Sequence, residues 1–458
     1  MPVTGEPVDP TGAVDPVVGP PAGGTARSAL AHRNFRIVFW GSFASSIGTW
    51  MQHVTLGAFA LEMSGSATFL SLVLFAQLGP MLLLSVVGGA LADIVDRRRL
   101  LIAAQSQQML GTVALAVLVF VTDGQPPEGA FLAVVALIGI GTAFHLPTFS
   151  AVLPALVGRQ DLAGAVALNS TQMNVARVVG PALGGVAYAA FGAASVFGIN
   201  AATYLFSIAA LAVVQIPRVE PESGDAVGWR RLMGGFAVAR RDPLVRRCLV
   251  TMAVFSFLCL PFIGQLPTVA LRNLGIEPRS SAYGLLYTCF GVGAILGAVS
   301  IATFLAGRPR ERLVRQGLLG FAATLGALAV LRDAGPAYPV AVVIGFFYFG
   351  TVTALSVVLQ ERLSEAVRGR VMALWAMAFG GIIPLGHLVA GPFAELTSIS
   401  WVLAYGVVAA LALAGYADLA RARATPEAAT PSGMARRRPA TARSVGPPAA
   451  PDPPPGCP

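Results

Sequence analysis

Apolar runs of roughly membrane-spanning length, separated by short polar breaks, recur twelve times along this chain of 458 residues. Six fall at 35–61, 68–95, 100–121, 129–157, 162–191 and 195–216, and six more at 248–271, 281–306, 313–331, 338–359, 371–396 and 400–420. A helix needs about 20 predominantly apolar residues to cross the hydrocarbon core. The pattern therefore predicts an all-α membrane protein with twelve transmembrane helices in two six-helix bundles, 32–216 and 248–420. Between them, 217–247 carries Arg218, Arg230, Arg231, Arg240, Arg241, Arg246 and Arg247 against Glu220, Glu222, Asp225 and Asp242, and reads as a solvated linker with a short amphipathic helix over 229–240. The ends, 1–31 and 421–458, are rich in Pro, Ala and Gly, and are expected to be disordered tails. Residues 1–31 have neither the early basic cluster nor the apolar core of a cleavable leader.

Composition agrees: 55% hydrophobic and 12% charged residues exclude an ordinary soluble enzyme, whose charged share is about 25%. All 31 basic residues are arginine. Only Arg177, Arg272, Arg279 and Arg332 lie away from the tails, the even-numbered connections and the run ends beside them. Positive charge concentrates on the cytoplasmic side, so both termini are expected there, in a multi-pass protein of the cytoplasmic membrane. The net charge of +9 thus marks topology and not nucleic-acid binding. The four cysteines, Cys248, Cys259, Cys289 and Cys457, have no metal-site or disulfide spacing. No metal or cofactor is expected, and nothing resembles a nucleophile with its base or a phosphate-binding loop, so an enzyme is not expected either.

The halves echo each other. Residues 153–168 align without gaps on 359–374, and each copy is followed by a Gly-Pro pair, Gly180-Pro181 and Gly391-Pro392. With the six-plus-six count this supports two parallel repeats. The segments HRNFRIVFWG (32–41), SSIGTWM (45–51), EMSGS (62–66), GALADIVDRRR (89–99) and LPALV (153–157), with Asn169-Ser170, resemble the major facilitator superfamily, specifically its transmembrane secretion effector branch of siderophore and macrolide exporters. The resemblance implies a monomeric rocker-switch exporter of a small molecule, with a central cavity and commonly driven by proton antiport.

Two motifs bear on gating. Gly89 and Asp93, with Arg97 and Arg98, match the superfamily's Gly-x-x-x-Asp signature between the second and third spans. A carboxylate there can sit against the N-terminus of the eleventh helix, near 369–371, and latch the cytoplasmic side; alternatively Asp93 and the arginines only anchor a loop. In the fifth span, Gly180, Pro181, Gly184 and Gly185 resemble the antiporter motif, with a bend at Pro181 and close approach at the glycines, expected against Gly293 and Gly297 of the eighth span. The rival reading is ordinary small-residue packing.

Arg177 would lie about 22 Å into the fifth span by the 1.5 Å rise, at a cost of roughly 2.5–3.5 kcal/mol near the bilayer centre. It should face the interior or a wet cavity, below a polar strip of Asn169, Gln172 and Asn174. A structural arginine bonded to neighbouring carbonyls is the alternative. His53, His145 and His387 are the groups at membrane depth that titrate near neutral pH, hence either proton carriers or packed hydrogen-bonding residues. Helices 1, 4, 7 and 10 line the cavity in this fold, which adds Trp50, Gln52, Phe255, Phe257, Gln265, Phe346, Phe347 and Tyr348 as candidates. Aromatic and amide groups without acids suit a bulky amphipathic substrate, such as an antibiotic, siderophore or related metabolite. Uptake or lysophospholipid carriage, and a non-transporting receptor or scaffold, are the rival functions.

Overall fold

The computed structural model describes residues 24–216 and 229–417. Most of both expected tails, 1–23 and 421–458, and the linker segment 217–228 lie outside the described residues. Twelve helical segments follow in order. The first three are α1 (Arg33–Ser64), α2 (Ala67–Ile94) and α3 (Arg97–Val121). One long helical stretch, Glu128–Val213, then divides at Gly158 and Gly192 into α4 (128–157), α5 (159–191) and α6 (193–213). The second half holds α7 (243–274), α8 (Ser281–Ala302), α9 (Arg310–Val330), α10 (Ala334–Arg362), α11 (365–396) and α12 (Ile399–Tyr416). Among the described residues, nine helices are long and apolar enough to cross a membrane, one of them the 54-residue Gln160–Val213 that contains the break at Gly192. The nine include neither α1, which has the length but carries Ser45, Ser46, Gln52 and His53 through its middle, nor α2, whose apolar stretch Ala67–Leu82 counts as a shorter helix.

Local chemistry explains the boundaries. Gly158 and Gly192 have φ of 75° and 78°, a region that side-chain-bearing residues rarely enter, so the helix reverses there without a polar loop. Ser66, Asp96, Asp242 and Ser280 cap α2, α3, α7 and α8 by accepting from backbone N–H groups of the first turn. The predicted amphipathic helix is present as Trp229–Arg241. Two boundaries differ from expectation. Residues 26–31, expected in the tail, form a short helix capped by Thr25 and fixed where Ser28 Oγ and His32 Nε2 meet Asp161 at 2.6 and 2.8 Å. Asp242 starts α7 at Pro243, five residues before the apolar run, because a side-chain cap and a first-turn proline outweigh the arginines that follow.

Both α7 and α11 are interrupted midway by a π-helical turn, Phe255–Cys259 and Met377–Gly381, each followed closely by a proline, Pro261 and Pro384. The irregular turn of α7 thus has a counterpart four helices later.

Glycines set the helix spacing. In α5, Gly180 and Gly184 face Ile47, Trp50 and Met51 of α1, while Gly185 meets Gly284 of α8 backbone to backbone. The expected partners were in error: Gly293 and Gly297 pack on the carbonyls of Val342 and Phe346 in α10, so Gly284 is the residue that lets α8 approach α5. A Gly-x-x-x-Gly spacing makes a helix approachable and does not say by which neighbour. Large apolar side chains such as Phe120, Phe191, Phe206 and Trp401 remain on the outer surface, as a lipid-facing surface requires.

Replacing Gly293 by valine would drive side-chain atoms into the Val342 carbonyl. Overpacking costs about 1–3 kcal/mol, so G293V is expected to lower the melting temperature of the detergent-solubilised protein, whereas Gly335→Ala, with open space around it, is expected to leave it within about a degree.

Candidate substrate cavity

Where the halves meet, a cavity of about 190 Å³ is lined by α1, α2 and α5 from the first half and by α7, α8, α10 and α11 from the second. Its charged group is Arg177. The guanidinium carbon lies 4.3 Å from the centroid of the Phe349 ring and 5.1 Å from that of Trp50, so aromatic rings from opposite halves flank one cation. Arg177 Nη1 donates to Asn174 Oδ1, one turn earlier, at 3.2 Å. Among the described residues, no acidic side chain lines the cavity. The wall behind it is a cluster of rings: Tyr348 stacks on Phe290 at 5.8 Å, meets Phe349 edge-on at 4.4 Å and is backed by Phe255. Opposite, His53 lies 5.4 Å from Trp50, and its Nδ1 is 3.1 Å from Gln77 Oε1; an amide oxygen only accepts, so Nδ1 donates. His387 also lines the cavity, is 3% exposed, and its Nδ1 has no partner among the described residues. Gly264 of α7 makes room for it, since a Cβ there would strike the imidazole.

Of the residues singled out in the sequence, Trp50, His53, Arg177, Tyr348 and His387 come together in the cavity. Four others do not. Gln52 accepts from Asn200 Nδ2 at 2.7 Å and ties α1 to α6. Gln265 donates to Ser71 Oγ at 2.7 Å and to the Ala67 carbonyl at 3.1 Å, a bond between halves. Gln172 donates to Asn169 within α5. His145 sits between α3 and α4, 3.3 Å from Gln105 Nε2 and stacked on Phe149. The physical reason is common to all four: a polar side chain in an apolar helix is as well satisfied by another protein group, on its own helix or a neighbouring one, as by a wet cavity. Phe257, Phe346 and Phe347 also lie outside the lining, and Phe255 stands behind it. Phe349, Tyr287, Phe290 and Phe379 were missed. Of the gating residues, Arg97 and Arg98 bond the carbonyls of Ala151 at 3.2 Å and Leu211 at 2.7 Å, within the first half. Gly89 and Asp93 fall in the last turns of α2, and the contact expected of the Asp93 carboxylate lies outside the described side chains.

The family model of the transmembrane secretion effectors matches residues 24–444. The chain belongs to that family, a branch of the major facilitator superfamily. It is 27% identical to the staphyloferrin A transporter of Staphylococcus aureus over 79% of this chain and 89% of that protein. It is 27% identical to the enterobactin exporter of Escherichia coli, over 88% and 96%. To macrolide efflux protein A of Streptococcus pyogenes it is 22% identical, over 82% and 94%. Solved structures that share the fold include a nucleoside transporter (TM-score 0.65, 12% identity, 86% of this chain and 98% of that one). A bacterial homologue of the iron transporter ferroportin, solved in an inward-facing state, is likewise similar (TM-score 0.66, 12% identity, 86% and 99%). The chain is a membrane transporter and not an enzyme.

In this facilitator the cavity is covered at the end of the molecule away from residues 24–32 and 417. There the Glu395 carboxylate of α11 accepts from the Ala67 N–H at the start of α2 and pairs with Arg272 at 3.1 Å. Arg272 also donates to the Gly65 carbonyl at 3.2 Å, and Gly391 lies against Ser71 and Ala67. With the Gly185–Gly284 contact, these hold α2 to α11 and α5 to α8. The ion pair is about one-third exposed and contributes little by itself, but the Glu395 carboxylate also receives an orphan N–H at a helix N-terminus. Glu395→Gln keeps shape and removes charge. It is expected to raise the reactivity of a single cysteine placed at Leu74, in a cysteine-free background, towards an impermeant reagent from that end by severalfold, with unchanged protein levels in the membrane.

Proposed function

We propose that this chain exports an amphipathic small molecule across the cytoplasmic membrane by alternating access, with protons as the counter-ion. One observation carries the reading. The cavity lies between the halves, with Trp50 and Arg177 on one side and Phe349 and His387 on the other, so a ligand bound there touches both parts that would move. The covering contacts through Glu395 and Gly185 support a form whose binding site is shut at that end.

Orientation rests on the arginines: both termini face the cytoplasm, the two bundles span 32–216 and 248–420, and the Glu395 end is extracellular. In that frame the cavity would load from the cytoplasm. Asp93 and Gly89, with Arg97 and Arg98, form the latch that closes this side once substrate is aboard. The relatives named as exporters of a siderophore and of a macrolide support the direction. The energy source follows from what the chain lacks and holds: the sequence contains no nucleotide-binding motif, and the titratable side chains in the cavity other than tyrosine and arginine are the imidazoles of His53 and His387. His145, away from the cavity, has no part in this coupling. The protein works as a monomer.

Inverted membrane vesicles with an inside-acid proton gradient, challenged with a panel of amphipathic compounds that includes a siderophore and a macrolide, test the proposal. At least one compound is expected to accumulate inside, to dissipate the gradient as it enters, and to stop accumulating with an uncoupler. H53Q or H387Q is expected to uncouple the two flows. Accumulation that persists undiminished with uncoupler and both substitutions would overturn proton antiport.

A further inference from the structure

The chemistry of the cavity also selects among amphipathic substrates. The Arg177 side chain stands at the junction of the halves, and its guanidinium offers five N–H donors in one plane. Both neighbouring rings, Trp50 and Phe349, lie within cation–π distance of its charge. Such rings stabilise a cation without receiving its in-plane N–H bonds. The hydrogen bond it makes among the described residues goes to the neutral Asn174 amide, which leaves most of the donors to be met by something else. Among the described residues no carboxylate lines the cavity to meet them. A second group there also needs a partner: Nδ1 of His387, nine-tenths buried or more, has none among the described residues, and it donates to a ligand in the tautomer that carries the proton on Nδ1. Water can satisfy such groups while the cavity is wet. When the halves close over a ligand and water leaves, the donors need an acceptor, and a planar anion accepts from a guanidinium edge with two parallel bonds. A cationic ligand would meet like charge with no acid to offset it; a neutral one would leave the guanidinium desolvated and unmatched.

We propose that the cavity takes its substrate as an organic anion, an aromatic amphiphile whose acid group is received on the edge of Arg177 and whose ring lies against the Tyr348–Phe290 wall. This deepens the transport reading above and names the class of compound carried.

The test uses the full chain in lipid nanodiscs and three probes of one shape: naphthoate, naphthylmethanol and naphthylmethylammonium. Binding is measured calorimetrically at neutral pH. Naphthoate is expected to bind about tenfold tighter than the alcohol, and the ammonium compound more weakly than either. Arg177→Gln is expected to abolish the preference for the acid by weakening naphthoate about tenfold, while the alcohol, which no longer desolvates a charge, binds at least as well as to the unaltered protein, and Arg177→Lys to retain part of the preference, as charge without the planar fork. Should Arg177→Gln fail to insert, the order of the three probes on the unaltered protein decides. Equal binding of all three, preference for the cation, no naphthoate binding at millimolar concentration, or equal weakening of acid and alcohol by Arg177→Gln would each overturn the proposal. If naphthoate is preferred yet vesicles export none of the compounds, the transport reading fails while the anion site stands. Export from vesicles without preference for the acid fails this proposal alone.

Discussion

A positive charge inside an apolar protein has to be stabilised by something, and here the neighbours of Arg177 come from both halves. Trp50 belongs to α1 and Phe349 to α10, so the cation is flanked as shown only when the two sides are in their present relation. An arginine near the bilayer centre costs roughly 2.5–3.5 kcal/mol to insert, and cation–π contacts contribute about 0.5–2 kcal/mol each. The magnitudes are comparable, which leaves the site nearly balanced and sensitive to what else occupies it. A deeply satisfied ion pair in the same place would lock the halves together and leave little for a ligand to change.

The packing around the cavity fits a joint of this kind. Backbones approach closely at Gly185–Gly284, a contact without interdigitating side chains, and Gly391 lies against the Ala67 carbonyl and the small Ser71 side chain. Rigid bodies can rock about such seams because few rotamers must change. Within each half, α8 and α10 also meet at glycines, Gly293, Gly297 and Gly345 on facing carbonyls, and α1 is held to α6 by a side-chain bond between Asn200 and Gln52. The π-helical turns of α7 and α11 lie beside the cavity, with Leu260 and Phe379 in its lining. Irregular turns of this type frequently occur at functional sites in otherwise regular helices. They give these two helices a place to bend that the helices on the far side of each half do not have.

Much of this was legible in the sequence. Apolar runs of membrane length, the arginine distribution and the Gly-Pro motifs gave the helices, their order and the branch of transporters, because bilayer thickness and backbone sterics act locally. Arg177, His53 and His387 come together at the cavity for a similar reason, since such groups are too costly to face lipid. What stayed hidden is which face of a helix meets which neighbour. Gln52 and Gln265 look like cavity residues by depth and are instead bonds between helices. In Phe346-Phe347-Tyr348-Phe349 aromatic residues point in every direction, so the sequence has no amphipathic signal to separate Phe349, which contacts Arg177, from Phe346, which packs on Gly297. The first turns before α1 were read as tail because six residues carry no span-length signal; their order comes from Asp161, far away in sequence.

The central claim is that one cavity, shared by two halves, is exposed alternately to the two sides of the membrane. Pulsed electron paramagnetic resonance reads this directly from two spin-label pairs at exposed positions, Ser150 with Thr303 at the end where the described chain begins and finishes, and Gln125 with Asp333 at the other. The account predicts two distance populations for each pair in lipid, with a bound ligand moving the pairs in opposite senses, one shortening as the other lengthens. Distances that change together, or that stay fixed in a protein shown to be transporting, would contradict it.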